Sequence, residues 1–433
     1  MTQENQNQPR EFDAVLGGQA PPPTDGVVLG GIEGVKHRLK SSDVEVQITA
    51  LTEALNYGEA GLDLVIDTLE RSTDKVQQFA AQLLRASSDY RAKQMLFDIA
   101  PWLGFTKIND WSVQEFNPEV RITDPIGTSY AINLQLDWTK LRAKARSSIK
   151  SSPSKLPYAE EHQRFMIEVQ RLDREEATKK FQAFLYTPHL YRLQTLHCHY
   201  PSPGFVDVFV EAKDRLTNLT ALFWGDPDDN AYKVSQHLIT INMSLVLEAY
   251  PKLEVLHLRG DAFGDAYYSL GSCLTFTPIR HARLKTLIIE TRYLPTSTVE
   301  QIANLDLPNL EYLELWFGNA ELDSDRFIPK IYEQFPELKY LGIRSCENAD
   351  EVAKSLSNSP LIERLKILDL SMGTMTDEGL KYLLNCPTVN QLHTLNISMN
   401  YIYDTARTSQ LRCQVIAQPQ DSDYGDRYNA LYE

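Results

Sequence analysis

The sequence predicts an α/β solenoid with about eight parallel strands, preceded by a small all-α domain. Three observations predict it. At 433 residues the chain exceeds the ~250–300 residues at which a single hydrophobic core stops growing, so it holds several domains or an elongated array. An L-x-x-L-x-L frame recurs eight times in the C-terminal half at nearly constant spacing. A different period links two short apolar patterns near the N-terminus, where Val46-Gln47-x-x-Ala50 returns as Val76-Gln77-x-x-Ala80.

Taken in chain order, residues 1–31 read as an extended Gly/Pro-rich arm, because Leu16-Gly-Gly and Leu29-Gly-Gly bracket Pro21-Pro-Pro23. Residues 32–105 read as a HEAT-like α-helical module. Asp43 and Asp74 stand upstream of the repeated pattern as N-caps, and Leu62 to Leu69 forms another amphipathic helix after Gly58 and Gly61. Residues 106–188 are expected to hold a strand pair, at Val120-Arg-Ile122 and Tyr130 to Leu136, where apolar and polar residues alternate. A basic, acid-free linker follows at 139–155 (TKLRAKARSSIKSSPSK). A helix ending in Phe181-x-x-Phe184-Leu185 then caps the first strand of the array.

Residues 189–433 carry the array. The frames are Leu193/Leu196/Cys198, Leu219/Leu222/Trp224, Leu253/Leu256/Leu258 and Leu284/Leu287/Ile289, then Leu310/Leu313/Leu315, Leu338/Leu341/Ile343, Leu365/Leu368/Leu370 and Leu392/Leu395/Ile397. The last two apolar positions of each frame lie two apart, so they share one face of a short strand and enter the core. The 26–34-residue spacing leaves room for a helical return, which is leucine-rich-repeat periodicity of the ribonuclease-inhibitor-like, horseshoe kind. Ser297 with Glu300, and Asn348 with Glu351, read as capping boxes of returning helices. Pro251, Pro308, Pro336 and Pro387 end such helices. The polar ladder position after each strand holds Cys346 and Asn400 but also Gly318 and Gly373, so the ladder is incomplete.

These residues carry a likeness. From about Pro125 to Glu433 the chain resembles a little-studied bacterial family of leucine-rich-repeat proteins, through Leu313-Glu-Leu-Trp316, the block ILDLSMGTMTDEG from Ile367 to Gly379, and Asp426-Arg-Tyr428. Residues 12–34 (FDAVLGGQAPPPTDGVVLGGIEG), with the HEAT-like segment, resemble an N-terminal module found ahead of repeat domains in filamentous cyanobacteria. The resemblance implies the horseshoe fold and a bacterial cytoplasmic setting, and no activity.

Composition narrows the function. With 43 Lys+Arg against 58 Asp+Glu, the formal charge of −15 argues against nucleic acid and anionic membranes as general partners. The polar start MTQENQNQPR has no apolar centre, and no run of ~18 apolar residues occurs, so a cytoplasmic protein is expected. The five cysteines include no C-x-x-C pair, and neither a metal nor a cofactor is expected. His197-Cys198-His199 cannot converge on one ion, because Cys198 takes a core position. The acidic turns around Asp226, Asp323 and Asp421 lack the complete calcium-loop pattern. The phosphate-loop, nucleophile-elbow and H-E-x-x-H motifs are all missing.

Alternation allows the concave face to be written out. Its middle row is His197, Phe223, His257, Ile288, Glu314, Gly342, Asp369, Asn396. Strands lie about 4.8 Å apart, so Tyr312 falls beside Tyr340 and Trp316 beside Arg344, with Glu314 and Asp369 flanking Arg344 and a gap at Gly342. This patch, with His257, Arg259 and Glu290 next to it, is the candidate binding site, since Trp, Tyr and Arg dominate binding hot spots. The bland alternative is a solvated sheet face. A non-enzymatic scaffold binding a protein or peptide is therefore expected. A regulatory subunit of a neighbouring enzyme is the alternative. An enzyme using Glu314 and Asp369 is weaker, because a cation between two carboxylates opposes the divided proton affinities that acid–base work needs. The basic run Lys140, Arg142, Lys144, Arg146, Lys150, Lys155 has no interleaved aromatic platform and reads as a solvated linker.

Overall fold

The structure, a computed structural model, describes residues 31–72, 74–103, 112–117, 128–150, 158–227, 241–262 and 273–420. The expected arm at 1–30 and the expected strand at Val120–Ile122 lie outside them. The chain divides into two units, Met1–Phe105 and Thr106–Glu433.

The first unit is all-α. Its helices are α1 (Gly31–Arg38), α2 (Val44–Ala54), α3 (Gly58–Arg71), α4 (Asp74–Ala86) and α5 (Tyr90–Ile99). Asp43 caps α2 as expected, accepting a hydrogen bond from the Glu45 amide, and Asp89 does the same for α5 with Arg91. The 30-residue pattern has a physical basis. The Gln47 side-chain amide donates to Leu39 O and the Gln77 amide to Leu69 O, so each ties its helix to the end of the preceding one. Ala50 and Ala80 are fully buried at the matching contacts. Gly61 lies inside α3 because a Cβ there would meet the Ala54 carbonyl oxygen at 1.7 Å.

The second unit is built on one sheet of parallel strands in sequence order: β1 (Ser112–Glu115), β2 (Thr128–Asn133), β3 (Thr195–His199), β4 (Ala221–Gly225), β5 (Val255–Arg259), β6 (Thr286–Glu290), β7 (Tyr312–Trp316), β8 (Tyr340–Arg344), β9 (Ile367–Asp369), β10 (Thr394–Asn396) and β11 (Gln414–Ile416). All eight apolar frames are strands, β3 to β10, in strict register from Leu196↔Leu222 to Leu368↔Leu395. The expected count of about eight is too low. The sheet holds eleven strands among the described residues, because β1, β2 and β11 pair by backbone without carrying the frame.

Returning helices complete the repeats: α8 (Phe205–Glu211), α9 (Ser244–Ala249), α10 (Thr296–Ile302), α11 (Ser324–Gln334), α12 (Ala349–Ser357), α13 (Leu361–Arg364) and α14 (Asp377–Leu384). Leucines of strand and helix share one continuous core running from Tyr130 to Leu411, which no single repeat could bury alone.

Two corrections concern 106–188. The stretch expected as a linker is largely a helix, α6 (Trp138–Lys150), whose Leu141 and Ala145 pack on Val169 and Leu172 of the 28-residue α7 (Tyr158–Leu185). The period of four joining Leu141 to Ala145 was masked by the cations around them. Phe181 and Phe184 do enter the core, Phe181 against Phe205 and Phe209 of α8 and Phe184 against Phe181 and Phe116. They do not close the end of the sheet, because β2 and β1 continue it beyond β3. The outermost strand there among the described residues, Ser112-Val-Gln-Glu115, is exposed throughout and mostly polar, a composition that discourages further strand addition.

The capping boxes are not formed. Ser297 lies inside the first turn of α10, whose cap is Pro295, and Glu300 instead pairs with Arg326 of α11. Asn348 sits at the cap of α12, but its side-chain amide accepts from the Leu322 amide at 2.9 Å and donates to Leu322 O at 3.0 Å. Cross-repeat bonding takes these side chains away from local caps.

Strand exits turn through positive φ at Gly225 and Gly318, and at the non-glycines Tyr200, Ser345, Met372 and Met399. At Gly225 a Cβ would meet the Arg259 carbonyl oxygen at 1.9 Å, so β4 and β5 approach as closely as glycine alone permits. Asn400 fills the ladder position with no exposure. It donates to Leu370 O and Ile397 O and accepts from the Met375 amide. Among the described residues no helix is long and apolar enough to cross a membrane.

Replacing Asn400 with alanine leaves buried backbone groups of two adjacent repeats unpaired, and the expected loss is about 2–4 kcal/mol. Urea unfolding of the variant beside the wild-type chain measures it. An unchanged midpoint would show that the ladder bonds contribute nothing net.

Candidate functional site

The side chains facing away from the core lie where the alternation places them. Register aligns Tyr312 with Tyr340, Glu314 with Gly342 and then Asp369, and Trp316 with Arg344. Tyr312 and Tyr340 stack with ring centroids 3.8 Å apart and 9° between planes. The Arg344 guanidinium sits 4.0 Å above the Trp316 ring.

Glu314 organises this group. Its carboxylate accepts from Tyr312 Oη at 2.5 Å, Trp316 Nε1 at 2.6 Å, Arg344 Nη1 at 3.0 Å and Tyr340 Oη at 3.1 Å. Asp369 accepts from the Ser371 amide at 2.9 Å and Asn396 Nδ2 at 3.0 Å, and lies 3.8 Å from Arg344 Nε. The Tyr340 hydroxyl stands between the two carboxylates, 3.1 Å from Glu314 and 3.2 Å from Asp369. With one proton to give, it serves one of them at a time. Burial works against charge on Arg344, but the Glu314 and Asp369 carboxylates outweigh it and hold the guanidinium firmly protonated. Burial and the same carboxylates push the Tyr312 and Tyr340 phenols well above their usual range.

Two expectations change. The alternative of a solvated sheet face does not describe the patch, since Tyr312, Trp316 and Tyr340 are each only 7% exposed, with Glu314 at 5% and Asp369 at 6%. Large side chains on strands this close pack edge to edge and hydrogen-bond one another. The expected gap at Gly342 is also filled: a Cβ there would meet Glu314 Cγ at 3.0 Å and Tyr340 Cε1 at 3.1 Å. Glycine at 342 lets those two side chains lean together.

The flanking residues form a second group. His257 Nε2 lies 2.8 Å from Glu290 Oε1, and Arg259 Nε lies 3.2 Å from Glu290 Oε2. Burial opposes the Glu290 charge, but His257, Arg259 and Arg344 together lower its proton affinity below the usual carboxylate range. Arg344 therefore acts on both groups. Side chains of Arg259, Glu290 and Arg344, at 13%, 18% and 18% exposure, are the most accessible parts of the site.

His197 and Phe223, not among the expected site residues, continue the row beyond His257. The His197 ring stacks on Phe223 at 5.4 Å, and His257 meets Phe223 edge-on at 5.0 Å. Burial, with His199 and His257 nearby, lowers the His197 imidazole to about 3. Among the described residues no group of three or more His, Cys, Asp or Glu side chains is placed to hold a metal ion.

No known protein family matches the chain, and no curated protein matches it. Among solved structures, a Bacteroides fragilis protein determined by a structural genomics consortium is similar over 58% of this chain and 73% of its own, at 26% identity and a TM-score of 0.48. The class of fold, a parallel α/β solenoid, is defined by the sheet and its register.

Two outcomes follow from this geometry. Glu314→Ala leaves Arg344 without its nearest counter-charge and the Tyr312 and Trp316 donors unmet, while Tyr340 keeps Asp369, so a loss of about 3–5 kcal/mol is expected in urea unfolding. Tyr312→Phe should cost about 1 kcal/mol. Equal losses would mean that Glu314 is not the centre. For His197, the unfolded chain gains a proton near 6.5 whereas the folded chain resists it down to about 3. Stability therefore falls as pH drops from 6.5 towards 3, by about 1.4 kcal/mol per unit from this residue. In urea unfolding at pH 7, 6, 5 and 4, His197→Phe should lose stability less steeply than wild type. Parallel slopes would exclude this role.

Proposed function

We propose that the chain is a non-enzymatic interaction scaffold whose ribonuclease-inhibitor-like leucine-rich-repeat horseshoe receives a protein or peptide on its concave face. The N-terminal unit, read as a HEAT-like module, supplies further surface. One observation carries the reading: the Glu314-centred cluster of Tyr312, Trp316, Tyr340 and Arg344, in which each ring and charge is already held by its neighbours. Hot-spot residues work best when fixed and desolvated before the partner arrives, because little ordering entropy remains to be lost on binding. The partner would meet the accessible edges of Arg259, Glu290 and Arg344 over an aromatic floor.

The same arrangement speaks against acid–base chemistry. Both carboxylates are already engaged by donors of this face, Glu314 by Tyr312, Trp316 and Arg344 and Asp369 by the Ser371 amide and Asn396, which leaves few lone pairs for a substrate.

The test is affinity purification from the native host followed by mass spectrometry, using wild type and a Trp316→Phe/Arg344→Met double variant that roughly preserves volume. Recovery of the main partner should fall at least ten-fold while circular dichroism stays unchanged. Equal recovery by the folded variant would remove the concave face from the reading.

A further inference from the structure

Helices α11 (Ser324–Gln334) and α12 (Ala349–Ser357) enclose a groove of about 200 Å³. Its α11 wall follows the spacing of a single helical face: Asp325, then Ile328 and Pro329, then Tyr332 and Glu333. Asp325 and Glu333 stand at the two ends of this wall, about 12 Å apart along the axis at 1.5 Å per residue. Apolar side chains fill the interval between the two carboxylates. The facing wall is Ser355, Asn358 and Ser359, closed by Pro360. No Lys or Arg lines the groove.

Hydrogen bonds along the groove direct protons toward Asp325 and leave acceptors open. Ser355 Oγ gives its one proton to Asp325 Oδ1 at 2.6 Å, and therefore accepts from Ser324 Oγ at 2.9 Å. Pro329, inside the helix, has no N–H to give the Asp325 carbonyl. Asn358 spends its Nδ2 on Lys354 O at 3.0 Å, which leaves Oδ1 as an acceptor. Among the described residues no cation pairs with Asp325 or Glu333. Arg364 covers one face of Tyr332 at 4.4 Å, but its terminal nitrogens are taken by Pro336 O and Tyr332 O. The positive end of α11, beside Asp325, is already balanced by Asp323, which accepts from the Arg326 amide.

We infer that this groove binds a linear alkyl polyamine, one terminal ammonium on Asp325 and the other on Glu333, with the methylene chain over Ile328, Pro329 and Tyr332. Charge spacing selects this ligand. A divalent metal ion needs oxygens that converge on it, and these carboxylates lie about 12 Å apart along the helix. A monoamine meets only one of them. An uncharged apolar compound would desolvate both and pair neither. Each terminal ammonium brings three N–H donors to walls rich in acceptors. The groove lies between helices, apart from the strand face, and is independent of the function proposed for that face.

The probe is spermidine, titrated into the full chain by isothermal calorimetry at physiological ionic strength. Saturable binding is expected, at least ten-fold tighter than that of butylamine. Asp325→Asn with Glu333→Gln should weaken it at least ten-fold with circular dichroism unchanged. If that variant does not fold, Glu333→Gln alone replaces it, since this side chain is exposed and holds no partner among the described residues; at least a three-fold loss is then expected. Glu351→Gln removes an equal charge from an exposed position of α12 outside the groove and should bind as wild type does. The inference is overturned if spermidine does not bind, if the groove variants bind it equally, or if Glu351→Gln loses as much as Glu333→Gln. It is also overturned if magnesium ion, or a blocked trilysine peptide of the same charge as spermidine, binds more tightly.

Discussion

Parallel strands stacked at constant register are the constraint on which the rest of this molecule depends. Because Leu196 pairs with Leu222, and so on through Leu395, every core leucine lands beside its counterpart in the next repeat. A slip of one residue in any strand would turn its leucines outward and its polar residues into the core. The same register carries Tyr312 onto Tyr340 and Trp316 onto Arg344. Core and candidate site are therefore two faces of one alignment.

The cost of that alignment appears at the strand exits. The chain turns sharply after several of the short strands through positive φ, at Gly225 and Gly318 where backbone of a neighbouring repeat is too close for a Cβ, and at Ser345, Met372 and Met399 elsewhere. Asn400 and Asn348 supply hydrogen bonds that the turning backbone lacks. Both reach into the neighbouring repeat, so the turns hold repeats together as well as ending strands.

On the face away from the core, crowding converts what would be separate surface side chains into networks. Glu314 gathers four donors, and Glu290 gathers His257 and Arg259. Arg344 links the two electrostatically. Burying this much charge is tolerable only because each group has a partner of opposite sign or a hydrogen-bond donor. The outcome is a stiff, pre-arranged surface with narrow access, which suits recognition better than turnover.

The sequence by itself determined the repeat, the strand positions, the facing side of each side chain and the lateral neighbours. All of these follow from a period of two within a strand and a near-constant spacing between strands. Only the tertiary structure decided how many strands join the sheet: β1 and β11 pair through backbone groups that no side-chain pattern advertises, and the alternation at Tyr130 to Leu136 marks β2 as a strand without showing that it joins the array. It also decided that Ser297 and Asn348 give up local capping. The bonds that replace it, Glu300 with Arg326 and Asn348 with Leu322, join residues some 26 positions apart. The burial of Tyr312, Trp316 and Tyr340 and the closing of the space at Gly342 depend on how large side chains share a narrow face. Helix α6 shows the same divide. Its charge was plain in the sequence, but its rigidity comes from Leu141 and Ala145 finding α7, a contact between elements and not a property of either alone.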